Sequence, residues 1–168
     1  MSTHRQAATA AIEAAGIVAV IRIKDPAKLQ AVVDAISEGG IRALEVTMTV
    51  PGAVELIAAL ARAAPPEVIV GAGTVLDAAT ARAVIDAGAA FVVSPVFKPE
   101  VVGVCREAGR AVMPGCFTPT EILDAWEAEL EREDADETAR EEAVASLDRV
   151  ATALARQESP AAWRALVE

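Results

Sequence analysis

Ala43-Leu44-Glu45-Val46-Thr47-Met48-Thr49-Val50-Pro51 sets a carboxylate inside an apolar stretch that reads as a β-strand running into a proline-started helix. Side chains of a strand alternate between its two faces, so Leu44, Val46 and Met48 share one face and Glu45, Thr47 and Thr49 the other. A carboxylate in such a segment is costly unless something pairs with it or uses it. The role of Glu45 is therefore the question on which the reading of the chain turns.

Outward from this stretch one unit recurs. A helical pattern ends in glycine and an apolar strand follows: Gly16 before Ile17–Ile21, Gly40 before Ile41 and the Glu45 strand, Gly88 before Phe91–Pro95, and Gly109 before Ala111–Gly115. Pro65-Pro66 takes the place of glycine before Val68–Thr74. Glycine at these junctions fits a helix C-cap, where a positive φ is needed. Asp25-Pro26, Val50-Pro51, Asp77, Lys98-Pro99 and Thr118-Pro119 each precede an apolar-patterned segment and read as helix starts. Repeated strand–helix units of about two dozen residues give parallel strands joined by helical crossovers. The sequence predicts an α/β fold: a partial (β/α) TIM-barrel-like array of five parallel strands, with a doubly wound sheet as the other arrangement of such units.

Composition separates the end of the chain from this array. Residues 1–126 carry 13 acidic and 10 basic residues, whereas residues 127–168 carry 12 and 5. All ten glycines lie at or before Gly115. The pattern predicts a five-stranded domain over residues 1–130 and an all-helical C-terminal segment over residues 131–168, packed on the domain or mediating assembly, with no further strand. The acidic run Glu127–Glu137 reads as a solvated helix face, because its acids point in almost every direction.

The net charge of −10 argues against nucleic acid and anionic membrane as partners. No apolar run approaches the ~20 residues of a membrane span, and Met1–Gln6 lacks the apolar core of a signal peptide, so a cytoplasmic location is expected. Cys105 and Cys116 lack metal-ligand spacing and His4 is the single histidine, so neither a metal nor a Ser-His-Asp triad is expected. The two cysteines read as reduced structural thiols.

In a parallel β/α array, functional groups gather at the carboxyl ends of the strands. That places Arg22, Lys24, Glu45, Thr47, Thr49, Gly73, Thr74, Ser94, Lys98, Pro114, Gly115 and Phe117 at one end. Two readings of Glu45 and Arg22 stand side by side: a buried ion pair closing the inner face, or a general acid/base beside an arginine that holds an anionic substrate. Gly71-Ala72-Gly73-Thr74-Val75 lacks the third glycine of a dinucleotide fingerprint and the lysine of a phosphate loop, so by itself it is a tight strand-to-helix turn.

Taken together, Ala19–Arg22, Gly39–Ile41 with Leu44–Thr47, Gly71–Val75, Phe91–Pro95, Met113–Gly115 and Thr118–Glu121 resemble, in order and spacing, 2-keto-3-deoxy-6-phosphogluconate aldolase and its 4-hydroxy-2-oxoglutarate relative, over about residues 16–126. The resemblance implies an eight-stranded barrel, a homotrimer, no cofactor, and a class I aldolase that cleaves a 2-keto sugar acid to pyruvate and an aldehyde through a lysine Schiff base. It implies that Glu45 is the catalytic proton relay, that Thr74 lies at the substrate, that Arg22 and Thr49 lie near its carboxylate, and that Pro114 belongs to the same binding set. Some members of the family have arginine where Thr49 stands.

The chain departs from the family after Glu121. The resemblance implies a sixth strand bearing the Schiff-base lysine, yet Trp126-Glu127-Ala128 continues into a charged run. The three lysines are Lys24, Lys28 and Lys98, none at the matching position. Lys24 and Lys98 lie near prolines in loop-like sequence, where the desolvation that a Schiff-base amine needs is hard to supply. The expectation drawn from this is a truncated or remodelled aldolase domain, natural or engineered, that has lost Schiff-base chemistry and serves as a scaffold or self-assembling subunit. The alternative is a lyase that acts on such 2-keto acids, with pyruvate as a small-molecule partner. Open edges on a five-stranded array predict a homo-oligomer, a trimer by resemblance or an edge-to-edge dimer.

Overall fold

The computed structural model describes residues 3–23 and 28–130. Helices and strands alternate throughout: α1 (Thr3–Ala15), β1 (Val18–Ile21), α2 (Leu29–Glu38), β2 (Ala43–Thr47), α3 (Ala53–Ala63), β3 (Ile69–Gly73), α4 (Ala78–Asp86), β4 (Phe91–Ser94), α5 (Pro99–Glu107), β5 (Ala111–Pro114) and α6 (Pro119–Leu130). Met1–Ala128 form one compact unit and Glu129–Glu168 a second. The helical segment expected over residues 131–168 lies outside the described residues, as do Lys24 and the helix start at Asp25-Pro26.

The five strands pair in the order β1-β2-β3-β4-β5, every pair parallel. That order decides between the two arrangements left open by the sequence. A doubly wound sheet reverses direction at a switch point, whereas here each strand is laid beside its predecessor, as in a barrel wall. The array is therefore α/β and consistent with part of a TIM-barrel-like fold.

Local chemistry accounts for the element ends. The expected capping glycines all have positive φ, from 62° at Gly109 to 105° at Gly88. At the end of α2, the Ile41 N–H donates to the Ile36 carbonyl and the Gly40 N–H to the Ser37 carbonyl. The same pair of bonds recurs after α4 and α5, so three helices end in the same Schellman motif. Asp77 caps α4, its carboxylate accepting from the Thr80 N–H at 2.8 Å and the Thr80 hydroxyl at 2.8 Å. One helix start differs from the expectation. Pro51 sits in a turn, with the Ala53 N–H donating to the Val50 carbonyl and Gly52 at φ 68°, and α3 begins at Ala53. Proline followed by a left-handed glycine is the chemistry of a type II turn, which must finish before the helix can start.

The sheet has two unlike faces. Leu44, Val46, Val70, Ala72 and Val92 point outward into a core shared with Val33 of α2, Ile57 and Leu60 of α3, Val84 of α4 and Val101 of α5. The inner face carries Val18, Ile69, Phe91 and Ala111, each at the first position of its strand, except that Phe91 and Ala111 also stand level with Glu45. Ala8 and Ile12 of α1 pack against this group. The amino-terminal helix therefore covers the strand-start end of the inner face and leaves the carboxyl end to other groups. On α6 the sequence predicts Ile122, Leu123, Trp126 and Leu130 as the packed side. Instead Ala125 is buried at 6% exposure while Leu123 and Trp126 are 42% and 41% exposed.

Ile57 is fully buried between helix and sheet. Ile57→Ala is expected to lower unfolding stability by about 2–5 kcal/mol, against about 0.5 kcal/mol or less for Leu76→Ala, whose side chain is exposed. Urea denaturation of the two variants checks the difference.

Candidate functional site at the carboxyl end of the sheet

The register builds the site row by row. Val20, Glu45, Gly71, Phe91 and Ala111 stand level across the five strands, and Thr47 stands level with Gly73. Glu45 is on the inner face, 9% exposed. Its neighbour in the row, Gly71, has no side chain, and the ring of Phe91 fills that space: a Cβ built on Gly71 would overlap the ring. The Glu45 side chain leans toward the carboxyl end. Its carboxylate lies over Gly73, where an added Cβ would overlap it and stand 2.9 Å from the Glu45 Cγ.

The remaining residues predicted for the site fall at the same end but differ in setting. Arg22 follows β1 and is exposed. Thr47 is fully buried, and its hydroxyl hydrogen-bonds the exposed Thr49 hydroxyl at 2.7 Å. Thr74 follows β3, half-buried, with φ 61°. A β-branched residue is rarely held there. Flanking bonds hold it: the Gly73 carbonyl accepts from the Met48 N–H at 2.8 Å and the Val75 N–H donates to the Val93 carbonyl at 3.1 Å. Pro114 ends β5, half-buried and level with Ser94. The buried Ser94 hydroxyl donates to the Val96 carbonyl at 2.7 Å and so helps fix the loop leading to the half-buried Lys98.

Electrostatics separates the two readings of Glu45. Burial pushes its carboxyl pKa above the ordinary value, and the positive charge of Arg22 pulls it down by less. With Arg22 exposed, the inner face is not closed by a buried ion pair. Glu45 is an acid whose charged form is disfavoured by burial and only partly favoured by Arg22. Cys116, beside the site, is pushed up by burial and by the charges of Glu121 and Asp124, so it stays a thiol. Thr118–Glu121 has a structural explanation. The Glu121 carboxylate accepts from the N–H groups of Phe117 and Thr118 at 2.9 and 2.8 Å, and the Thr118 hydroxyl accepts from the Glu121 N–H at 3.3 Å, which forms a capping box for α6.

The sequence places Thr74 at the site by resemblance but carries no sign of its left-handed backbone, and it does not single out Phe91. The signal for Phe91 was the glycine opposite it, legible only once the register is known. For Thr74 no residue-type signal existed, since threonine is disfavoured at positive φ.

A carboxyl raised by burial opposes folding once ionised. Its proton is bound more tightly in the folded than in the unfolded chain, so stability falls as pH rises from the unfolded value of 4.5 through the folded one. Glu45→Gln is expected to raise the melting temperature at pH 7, with the gap closing as pH falls below 4.5. Thermal denaturation across pH 3.5–7.5 (roughly the window of carboxyl titration) reads this directly.

Among the described residues no group of three or more His, Cys, Asp and Glu side chains is placed to hold a metal ion, and no helix is long and apolar enough to cross a membrane. A family model for KDPG and KHG aldolase matches residues 9–134. The 2-dehydro-3-deoxy-phosphogluconate aldolase of Treponema pallidum is 42% identical over 111 residues, which cover 66% of this chain and 51% of that protein. The structure of a KDPG aldolase from Legionella pneumophila, with pyruvate captured as a covalent carbinolamine intermediate, is 28% identical at a TM-score of 0.67 and covers 72% of this chain and 58% of that one. A cube-shaped protein cage designed by fusing symmetric oligomeric domains matches at 32% identity and a TM-score of 0.63, covering 66% of this chain and 41% of that one. The chain spans about half the length of the curated relatives it matches. Five parallel strands in barrel order agree with that match, and the chain belongs to the KDPG and KHG aldolase family.

Proposed function

We propose that the carboxyl end of this sheet works as a 2-keto-acid site of the lyase type, cleaving a 2-keto-3-deoxy sugar acid phosphate or 4-hydroxy-2-oxoglutarate to pyruvate and an aldehyde. The observation that carries this reading is the Glu45 carboxyl, 9% exposed on the inner face with its pKa raised by burial. A carboxyl so placed can take a proton from carbon or oxygen and return it. Arg22 supplies positive charge for the substrate carboxylate, and Thr49, Thr74 and the backbone at Pro114 line the approach. The reaction needs an amine to form an imine with the keto carbon and accept the electron pair of the broken C–C bond. The lysine candidates are Lys98, half-buried at this end before α5, and, by its position in the sequence after Ile21, Lys24.

A second reading is favoured by a specific feature: no lysine follows Thr118–Glu121 in the sequence. In that reading the domain is a non-catalytic subunit of a homo-oligomer, a trimer or an edge-to-edge dimer. The exposure of Ile17 and Val20 along the β1 edge, 54% and 49%, supports association through that edge.

Pyruvate and borohydride followed by intact-mass measurement separates the two. The lyase reading predicts one stoichiometric adduct mapped to Lys98 or Lys24, together with solvent deuterium entering the pyruvate methyl group. Glu45→Gln is expected to slow that exchange by about 10²–10⁴-fold while leaving the adduct in place. The absence of both adduct and exchange would overturn the lyase reading. Light scattering then decides the other: an oligomer at micromolar protein supports the subunit reading, and a monomer contradicts it.

A further inference from the structure

We infer that Gly73 is a positioning residue whose missing side chain gives the Glu45 carboxylate its seat on the inner face. This rests on the reading of Glu45 as the proton-handling group. It concerns how the fold holds that group in place, whatever substrate it serves.

The register shows why a seat is needed. Glu45 stands level with Gly71, but the space above Gly71 is taken by the Phe91 ring, which enters from the neighbouring strand. The carboxylate cannot lie flat beside its own stem. It is turned along the strand toward the next inward position of β3, which is Gly73. Any Cβ there would fall inside the carboxyl group. The two glycines of Gly71-Ala72-Gly73 thus have separate tasks: one admits an aromatic ring that blocks the inward route, the other admits the carboxylate at the rim. Ala72 between them points outward and is fully buried in the helix-covered core. The spacing of the glycines by two follows from the period of the strand, since only alternate residues face inward.

Gly73 is also fixed in place. Its carbonyl accepts the Met48 N–H at 2.8 Å, and the strand turns sharply at Thr74 immediately afterwards. The backbone at Gly73 therefore cannot easily retreat from an added methyl group. The mobile partner is the Glu45 side chain, which would swing outward toward solvent. Gly73→Ala is then a substitution on one strand that changes the ionisation of an acid on another.

A double-variant cycle of Gly73→Ala and Glu45→Ala, followed by denaturation midpoints from pH 4 to pH 8 (about the span over which a raised carboxyl titrates), tests this. Gly73→Ala is expected to lower the midpoint at pH 4, where the seated carboxyl is neutral, and to lower it much less in the Glu45→Ala background, with the loss in the Glu45 background shrinking as pH rises. It should also flatten the pH-dependent loss of stability that Glu45 causes, because a carboxylate pushed into water ionises normally. If Gly73→Ala alone does not fold but the double variant does, the rescue supports the seat. Equal losses in both backgrounds, failure of both to fold, or an unchanged pH profile would overturn it. None of these outcomes depends on turnover: a protein that never exchanges pyruvate protons would sink the lyase reading and still decide the role of Gly73.

Discussion

A carboxyl group pressed against the inner face of a parallel sheet is the constraint to which the rest of this structure answers. Burial disfavours its charged form, and the neighbouring arginine is too exposed to cancel that cost. The sheet accommodates the group by omission. The strand beside Glu45 presents glycine at two successive inward positions, one occupied by the Phe91 ring and the other by the carboxylate. The helix-covered outer face meets the opposite demand, with Val, Leu, Ile and Ala packed together. One β-strand, Ala43–Thr47, serves both faces through simple alternation, and all five of its residues are buried.

The order of the strands gives that carboxyl its company. Because β1 to β5 run parallel and adjacent in chain order, the segments after every strand emerge at the same end. Arg22, Thr49, Thr74, Pro114 and Lys98 reach that end from separate elements, while α1 covers the inner face at the other. Family membership and this geometry agree on where chemistry belongs. The chain covers only about half the length of the relatives it matches, and its lysines do not follow the capping box of α6. Under the proposed lyase reading, turnover of substrate is a question about the amine.

Much of the architecture was legible in the residues, because local chemistry specifies it. Glycine after a helical pattern announced a left-handed cap at each expected junction, and Lys98-Pro99 and Thr118-Pro119 announced helix starts. The alternation around Glu45 identified its face. What could not be read depends on partners distant in the chain. The proline at 51 belongs to a turn, because Gly52 completes it. Trp126 has the spacing of a packing residue, yet on α6 Ala125 is buried and Trp126 is exposed. The Arg22–Glu45 pair suggested by two charges at adjacent strand ends is replaced by a solvated arginine and a desolvated acid. The roles of Gly71 and Gly73 required the register, since a glycine pair in sequence does not say which side chain comes to occupy its space.

The most direct test is the titration of the Glu45 carboxyl itself, followed by carbon-13 NMR of selectively labelled glutamate with Glu45→Gln to assign the resonance. The account predicts a midpoint above that of an ordinary glutamate, moved further upward when Arg22 is replaced by glutamine and its positive charge removed. A midpoint at or below the ordinary value would mean that Glu45 is a solvated or tightly paired carboxylate, and would contradict the account.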